Sequence, residues 1–302
     1  MAVGYVDERP KAVSDRVRRT IALLRRRGYA VCPARLGDLC LGGPIPESEV
    51  RWAVAADRSL AISEGLVVER DVIGQVAVIR QRALAHQEDA DAYIAMTLDF
   101  VRTLVAVAPF VRGVSIAGSL ASGGFRASDD VDLNLIVDDG HRHLAYVMVN
   151  VLGLLHAMHH RSKPVDDLTR RPIAPRLMTA NLILERSQCM PLVRQDEDMA
   201  FELLVPETVF GLDAIREIVE ANEPLLDHFP QLAAKASPLL IEAHEKRAPA
   251  WIYPALLDQP ARWLGAAAWR YMQWTRRNRP DALARVAYVR STMRPYALFD
   301  AN

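Results

Sequence analysis

Hydrophobic and polar residues alternate strictly over residues 130–137. Asp130, Asp132, Asn134 and Ile136 fall on one side, and Val131, Leu133, Leu135 and Val137 on the other. A period of two predicts a strand, and Asp139-Gly140 closes it as a turn. Residues 177–185 alternate in the same way, and 111–116 form a short β-like run that leads to Gly118-Ser119. Elsewhere the period is helical. Residues 91–107 predict a long helix with Asp91 as its cap, broken by Pro109. Residues 143–160 predict another, so apolar over 145–158 that burial is expected. Residues 161–175 read as a polar, proline-punctuated loop. In the last third, 208–222 and 261–277 are the clearest helices, the second with Leu264, Ala268, Tyr271 and Met272 close to one face.

The first 85 residues have a different plan. Residues 13–27 mix Val13, Val17, Ile21, Leu23 and Leu24 with arginines, which predicts an amphipathic helix stopped by Gly28. A short apolar-polar run over 35–41 ends at Gly42-Gly43-Pro44. Pro46-Glu47-Ser48-Glu49 starts another helix, with carboxylates where the helix dipole favours them. Ala61-Ile62-Ser63, Glu64-Gly65 and Leu66-Val67-Val68 read as a small hairpin. Three helices and a hairpin are the plan of a winged helix. The expected fold class is therefore α+β in three parts: a winged-helix-like domain over 1–85, a mixed sheet flanked by helices over 86–205, and a helical C-terminal extension over 206–302.

Composition narrows the function classes. Of 302 residues, 51% are hydrophobic and 25% charged, so a proper core can form. The formal net charge is zero, which argues against a nucleic-acid coat or broad adhesion to anionic membrane. Cys32, Cys40 and Cys189 are too few and too scattered for a disulfide framework, and a reducing, cytoplasmic setting is expected. The first ten residues lack the basic and apolar regions of a signal peptide. The longest apolar stretch, 145–158, is shorter than the roughly 20 residues of a membrane span.

The chemistry-bearing pattern lies in the middle. Gly118-Ser119 follows one strand; after ten intervening residues Asp130-Val131-Asp132-Leu133 opens the next. Asp130 and Asp132 share a face, roughly 7 Å apart along the backbone. Two carboxylates so placed can share divalent cations such as Mg2+ or Mn2+, which take hard oxygen ligands together with substrate phosphates. Gly118 lets the backbone approach a phosphate, and Ser119 adds a hydroxyl donor. A helix starting near Leu120 would add backbone N–H groups.

This pattern resembles the signature of the DNA polymerase beta-like nucleotidyltransferase superfamily. Residues 109–121 (Pro-Phe-Val-Arg-Gly-Val-Ser-Ile-Ala-Gly-Ser-Leu-Ala) are similar to the approach to the site in a bacterial subfamily with an N-terminal winged-helix domain. Asn181-Leu182-Ile183-Leu184, Ala200-Phe201-Glu202-Leu203 and Ala221-Asn222-Glu223-Pro224 resemble later landmarks of that subfamily. The resemblance implies that 86–205 form a minimal nucleotidyltransferase domain. It implies transfer of a nucleoside monophosphate group from a nucleoside triphosphate to an acceptor, with pyrophosphate leaving. Gly118 and Ser119 would hold the β- and γ-phosphates, and Asp130 and Asp132 would ligate Mg2+. The acceptor stays open among a small molecule, tRNA and protein, the last two in a toxin-like variant. A catalytically weak nucleotide-sensing or DNA-binding regulator on the same fold is the alternative.

The resemblance also implies a third carboxylate on a neighbouring strand. Over 177–185 one parity carries Leu177, Thr179, Asn181, Ile183 and Glu185. Asn181 stands mid-strand, and an amide is no base near neutral pH. Glu185, at the strand end, is then the candidate third catalytic acid. Asp129 has the opposite parity to Asp130 and is expected outside the metal site. His156, His159 and His160 suit a helix end, and Lys163, Arg170, Arg171 and Arg176 a solvated or phosphate-facing loop. The helix near 47–57 is too acidic for a DNA major groove, so packing or protein contact is favoured for the first domain. Trp251, Trp263, Trp269 and Trp274, with Arg270, Arg276 and Arg277, are weighed as an acceptor clamp, but Trp263 reads as core.

Overall fold

A computed structural model describes residues 9–160, 163–164, 177–242 and 247–275, with scattered positions out to 299. The chain begins with three helices, α1 (Arg9–Arg26), α2 (Pro33–Asp38) and α3 (Glu47–Ala56), then a hairpin of β1 (Leu60–Ser63) and β2 (Leu66–Glu69). Glu64 and Gly65 both have positive φ at its turn, as a tight two-residue hairpin requires. A 3-10 turn over Arg70–Gln75 feeds α4 (Val76–Val107). Then come β3 (Val111–Ala117), the single-turn α5 (Gly118–Ser122), β4 (Val131–Val137), α6 (Arg142–Ala157) and β5 (Met178–Glu185). The short α7 (Arg186–Cys189), α8 (Glu197–Leu204), β6 (Glu207–Phe210), α9 (Leu212–Glu220), α10 (Pro224–His228) and α11 (Asp258–Thr275) follow.

The protein is α+β, with a mixed four-stranded sheet ordered β5-β4-β3-β6 and flanked by helices. β3 is antiparallel to both β4 and β6, while β5 runs parallel to β4 after the α6 crossover. Alternation sorts β4 as the sequence predicts. Val131, Leu133, Leu135 and Val137 join an apolar cluster with Phe100 and Leu104 of α4 and Val149 of α6. Ile136 joins a second cluster on the opposite face, with Phe201 of α8, Ile218 of α9 and the apolar side chains of α1–α3.

β5 does not keep one parity. Asp132 pairs with Thr179 and Leu133 with Ala180, but Asn134 pairs with Leu182, which leaves Asn181 as an extra residue. This bulge reverses the alternation. Thr179 and Asn181 bond to Asp132 and Asn134 on one face. Beyond the bulge, Leu182 and Leu184 occupy that face and Ile183 the other.

Several expectations change. The helix expected from Asp91 starts at Val76, so Asp91 is mid-helix and the expected boundary at 85/86 falls inside α4. The helix expected over 208–222 is two elements, edge strand β6 and then α9, so the last third is not purely helical. Gly211 separates them at φ 69°, where an added Cβ would lie 1.8 Å from the Arg112 carbonyl oxygen. α6 is buried on one face only, since Val151, Leu154 and Leu155 are about half exposed on the other. α11 packs through Ala261 and Gly265 rather than through Leu264 and Tyr271, which are exposed. Trp263 is 67% exposed and is not core. No described helix is long and apolar enough to cross a membrane.

Candidate active site

The sheet register brings the two halves of the motif together. Ala117, the last residue of β3, pairs with Asp132 of β4. Gly118 follows at φ 61°, with the Asp132 carboxylate directly against its Cα. An added Cβ would sit 2.2 Å from Asp132 Oδ2, so only glycine admits this approach. The other carboxylate oxygen, Oδ1, accepts a 2.9 Å hydrogen bond from Thr179 Oγ1 on β5. Asp132 is thus oriented from both neighbouring strands. Asp130 lies one residue ahead of β4, and both aspartates are half-buried.

Ser119 is the second residue of α5. Its hydroxyl reaches Asp129 Oδ2 at 3.4 Å, and that oxygen also accepts the Arg126 backbone N–H at 3.2 Å. Asp129, expected outside the site, therefore touches the predicted phosphate-binding serine. Two guanidinium groups, of Arg82 on α4 and Arg126, lie 3.8 Å from its carboxylate. Lys163 is buried and donates to the Asp129 carbonyl oxygen at 2.7 Å. The loop ahead of β4 is tied to α4 as well: Tyr93 Oη donates to the Ala127 carbonyl at 3.0 Å, and the Ala127 N–H donates to Asp89 Oδ2 at 3.2 Å. Asp129, in contact with Ser119, thus has three cationic side chains around it. Arg170, Arg171 and Arg176 lie outside the described residues.

The polar face continues inward from Asp132. Asn134 and Asn181 hydrogen-bond each other at 2.9 Å, and both amides donate to Glu202 Oε1 of α8, at 3.2 and 3.3 Å. Ser115 and Thr208, both buried, share a hydrogen bond of 3.2 Å one strand further across. Burial pushes the Glu202 carboxyl above its ordinary range, against the opposing pull of Arg27 and of the two asparagine amides. Arg27 Nη2 stands 3.7 Å from Glu202 Oε2. Lys235, held by the Leu203 and Pro206 carbonyls at 2.5 Å, is pushed down to about 8 by burial, with Glu207 and Glu202 resisting.

Glu185 is not brought to this site. It pairs with Val137, at the opposite end of β4 from Asp132, and continues the parity of Ile183 on the other face. Its carboxylate caps α7 and accepts the Gly140 N–H at 2.8 Å. The Asn181 bulge lies between Thr179 and Glu185 and turns Glu185 away from the face that its sequence parity predicts.

No protein-family model, curated protein or solved structure matches the chain. The site must therefore be judged by its own chemistry. Its donor set is hard oxygen: the carboxylates of Asp130 and Asp132, with Ser119 and Thr179 hydroxyls beside them. Among the described residues, no group of three or more His, Cys, Asp and Glu side chains is arranged to hold a metal. Two carboxylates fit a cation that completes its shell with substrate phosphate oxygens and water, as Mg2+ does, rather than a fully enclosed metal. The histidines near 156–160 form no such group; the rings of His156 and His160 lie 5.0 Å apart, tilted by 49°.

Proposed function

We propose that the protein is a Mg2+-dependent nucleotidyltransferase of the DNA polymerase beta-like type, with an N-terminal winged-helix unit. The observation that carries this reading is the fit of Gly118 against Asp132. A glycine that cannot be replaced without displacing a carboxylate joins the backbone corner at Gly118-Ser119 to the strand that follows Asp130 and carries Asp132. Gly118 and Ser119, with Arg82, Arg126 and Lys163 nearby, would receive the triphosphate. Asp130 and Asp132 would hold Mg2+ (or Mn2+). Bound there, the ion would neutralise phosphate charge and polarise the phosphoryl oxygens. The acceptor, a small molecule, tRNA or protein, would take the nucleoside monophosphate group as pyrophosphate leaves. Thr179 would keep the Asp132 carboxylate turned toward the Gly118 corner during this.

The reading is tested with the double variant Asp130→Ala/Asp132→Ala. Wild type should bind at least one of ATP, GTP, CTP and UTP in a Mg2+-dependent way by calorimetry. The double variant should lose that dependence and any pyrophosphate release, with its melting temperature nearly unchanged. Undiminished pyrophosphate release from the double variant sinks the site assignment.

A further inference from the structure

A transfer reaction needs a group to take the acceptor's proton. The strand that was expected to supply it carries Thr179 and Asn181 on the site face, and Glu185 is turned elsewhere. Another carboxylate does lie over that face. α8 crosses it and lays Glu202 on Asn134, two residues along β4 from Asp132 and on the same side of the strand. Asn181, the bulged residue of β5, donates to the same oxygen. A strand-borne amide thus stands where a strand-borne acid would, and it holds in place an acid delivered by a helix.

We propose that Glu202 is the third carboxylate of this site and the base that deprotonates the acceptor. The inference rests on the nucleotidyltransferase reading. Its geometry is specific. Oε1 is fixed by two amide donors, and Oε2 is turned to the Arg27 guanidinium at 3.7 Å. In the step, Oε2 takes the proton of the acceptor hydroxyl as its oxygen bonds to the α-phosphorus. The bond from that phosphorus to the pyrophosphate oxygen breaks, and pyrophosphate leaves with the electron pair. The carboxylic acid then returns its proton to solvent. The charged and titratable groups facing Glu202 are Arg27 and Tyr29, both just beyond the end of α1, and Lys235 after α10. Arg27 and Tyr29 belong to the N-terminal unit, so that unit forms part of the wall around the base. Asn134 and Asn181 are positioning residues.

The experiment compares wild type, Glu202→Gln and Glu202→Asp. Each is given ATP, GTP, CTP or UTP with MgCl2, and water, glycerol or bulk tRNA as acceptor. Nucleotide binding is read by calorimetry, turnover by pyrophosphate release, and fold by thermal melting. Glu202→Gln should keep the wild-type Kd and melting temperature while kcat falls by about two to four orders of magnitude. Glu202→Asp should recover part of the rate. Glu202→Gln turnover within threefold of wild type overturns the assignment, and so does a loss that only tracks weaker binding or early melting. If Glu202→Gln does not fold, the pH–rate profile of wild type decides. A limb titrating above the ordinary carboxylate range supports Glu202, and a flat profile overturns it. Wild type that binds nucleotide but releases no pyrophosphate with any acceptor also overturns the base while leaving the nucleotide site standing. Wild type that binds no nucleotide defeats the nucleotidyltransferase reading itself, a failure visible before any variant is made.

Discussion

A single missing side chain sets up the candidate site. At Gly118 an alanine would meet two penalties. Its φ of 61° costs an L-residue roughly 1–2 kcal/mol. Its Cβ would also displace the Asp132 carboxylate, 2.2 Å away, and with it the bond from Thr179. Gly118→Ala should therefore weaken Mg2+-dependent nucleotide binding at least tenfold by calorimetry, with only a modest fall in melting temperature. Affinity within twofold of wild type would mean that this corner does not bind phosphate. Gly118, Ser119, Asp130 and Asp132 were legible in the sequence because each pair is local, and pairing of adjacent strands then brings them together. Glu202 was not legible. It reaches the sheet from a helix about 70 positions away, and its own stretch, Ala200-Phe201-Glu202-Leu203, stands out only as a landmark of the resemblance, with no role for the carboxylate. Glu185 was misread for a related reason. Parity counting assumes an unbroken strand, and one extra residue at Asn181 sends every later side chain to the other face.

Among the elements, the sheet's strongly alternating strands were legible, whereas β6 was hidden by the helical periodicity that follows it. The separation of β6 from α9 depends on a backbone turn at Gly211 that no periodicity records. The docking of α11 was invisible for the same kind of reason, since beside Ala261 and Gly265 it uses a polar clamp between the starts of two helices. Asp258, the first residue of α11, accepts the backbone N–H groups of His143 and Leu144 at 2.7 and 2.8 Å. Its second oxygen is 2.7 Å from His143 Nδ1. It thereby satisfies N–H groups in the first turn of α6 that the helix leaves without intrahelical partners. Burial works to raise the Asp258 carboxyl, but the bonds from His143 and Leu144 outweigh it and hold the group below its ordinary value. The sign follows. A depressed folded pKa stabilises above the unfolded value, and that stabilisation is lost as pH falls through the carboxylate range. Asp258→Ala should cost about 1–2 kcal/mol near neutral pH, an N-cap-sized loss. In urea titrations the gap between variant and wild type should close toward pH 3. A gap that persists unchanged in acid would show that the clamp does not act through the carboxylate.

At the scale of the whole molecule, the arginine-rich first helix engages most of its guanidinium groups within the chain, although Arg18, Arg19, Arg25 and Arg26 stay about half exposed. Arg16 donates to the Leu41 and Gly43 carbonyls at 2.5 Å, and Arg25 pairs with Glu69 and, at 2.8 Å, Asp71. Arg19 pairs with Glu197, and Arg26 and Arg27 reach Asp198 at 3.0 and 3.3 Å, all on α8. With these cations engaged, the helix is a poor track for a nucleic-acid backbone. It is instead a fastener between the N-terminal unit and the helix that bears Glu202. The apolar layer beneath agrees. Val17, Leu24, Leu36 and Leu60 of the N-terminal unit lie in one continuous cluster with Leu182, Leu184, Phe201 and Leu225 of the rest. A chain beginning at Val76 would lose the N-terminal side of that cluster. Full exposure of all four of those side chains would forfeit at most roughly 6–12 kcal/mol, at about 1.5–3 kcal/mol each, and even part of that is a large share of the stability of a typical domain. The fragment should therefore lack a cooperative melt and bind a hydrophobic dye, while the full chain unfolds through the N-terminal unit and sheet in a single transition by both near- and far-ultraviolet dichroism. A fragment that melts sharply near the full-length temperature would mean that the two parts are separate folding units, and that Arg27 approaches Glu202 as a visitor rather than as a fixed part of its wall.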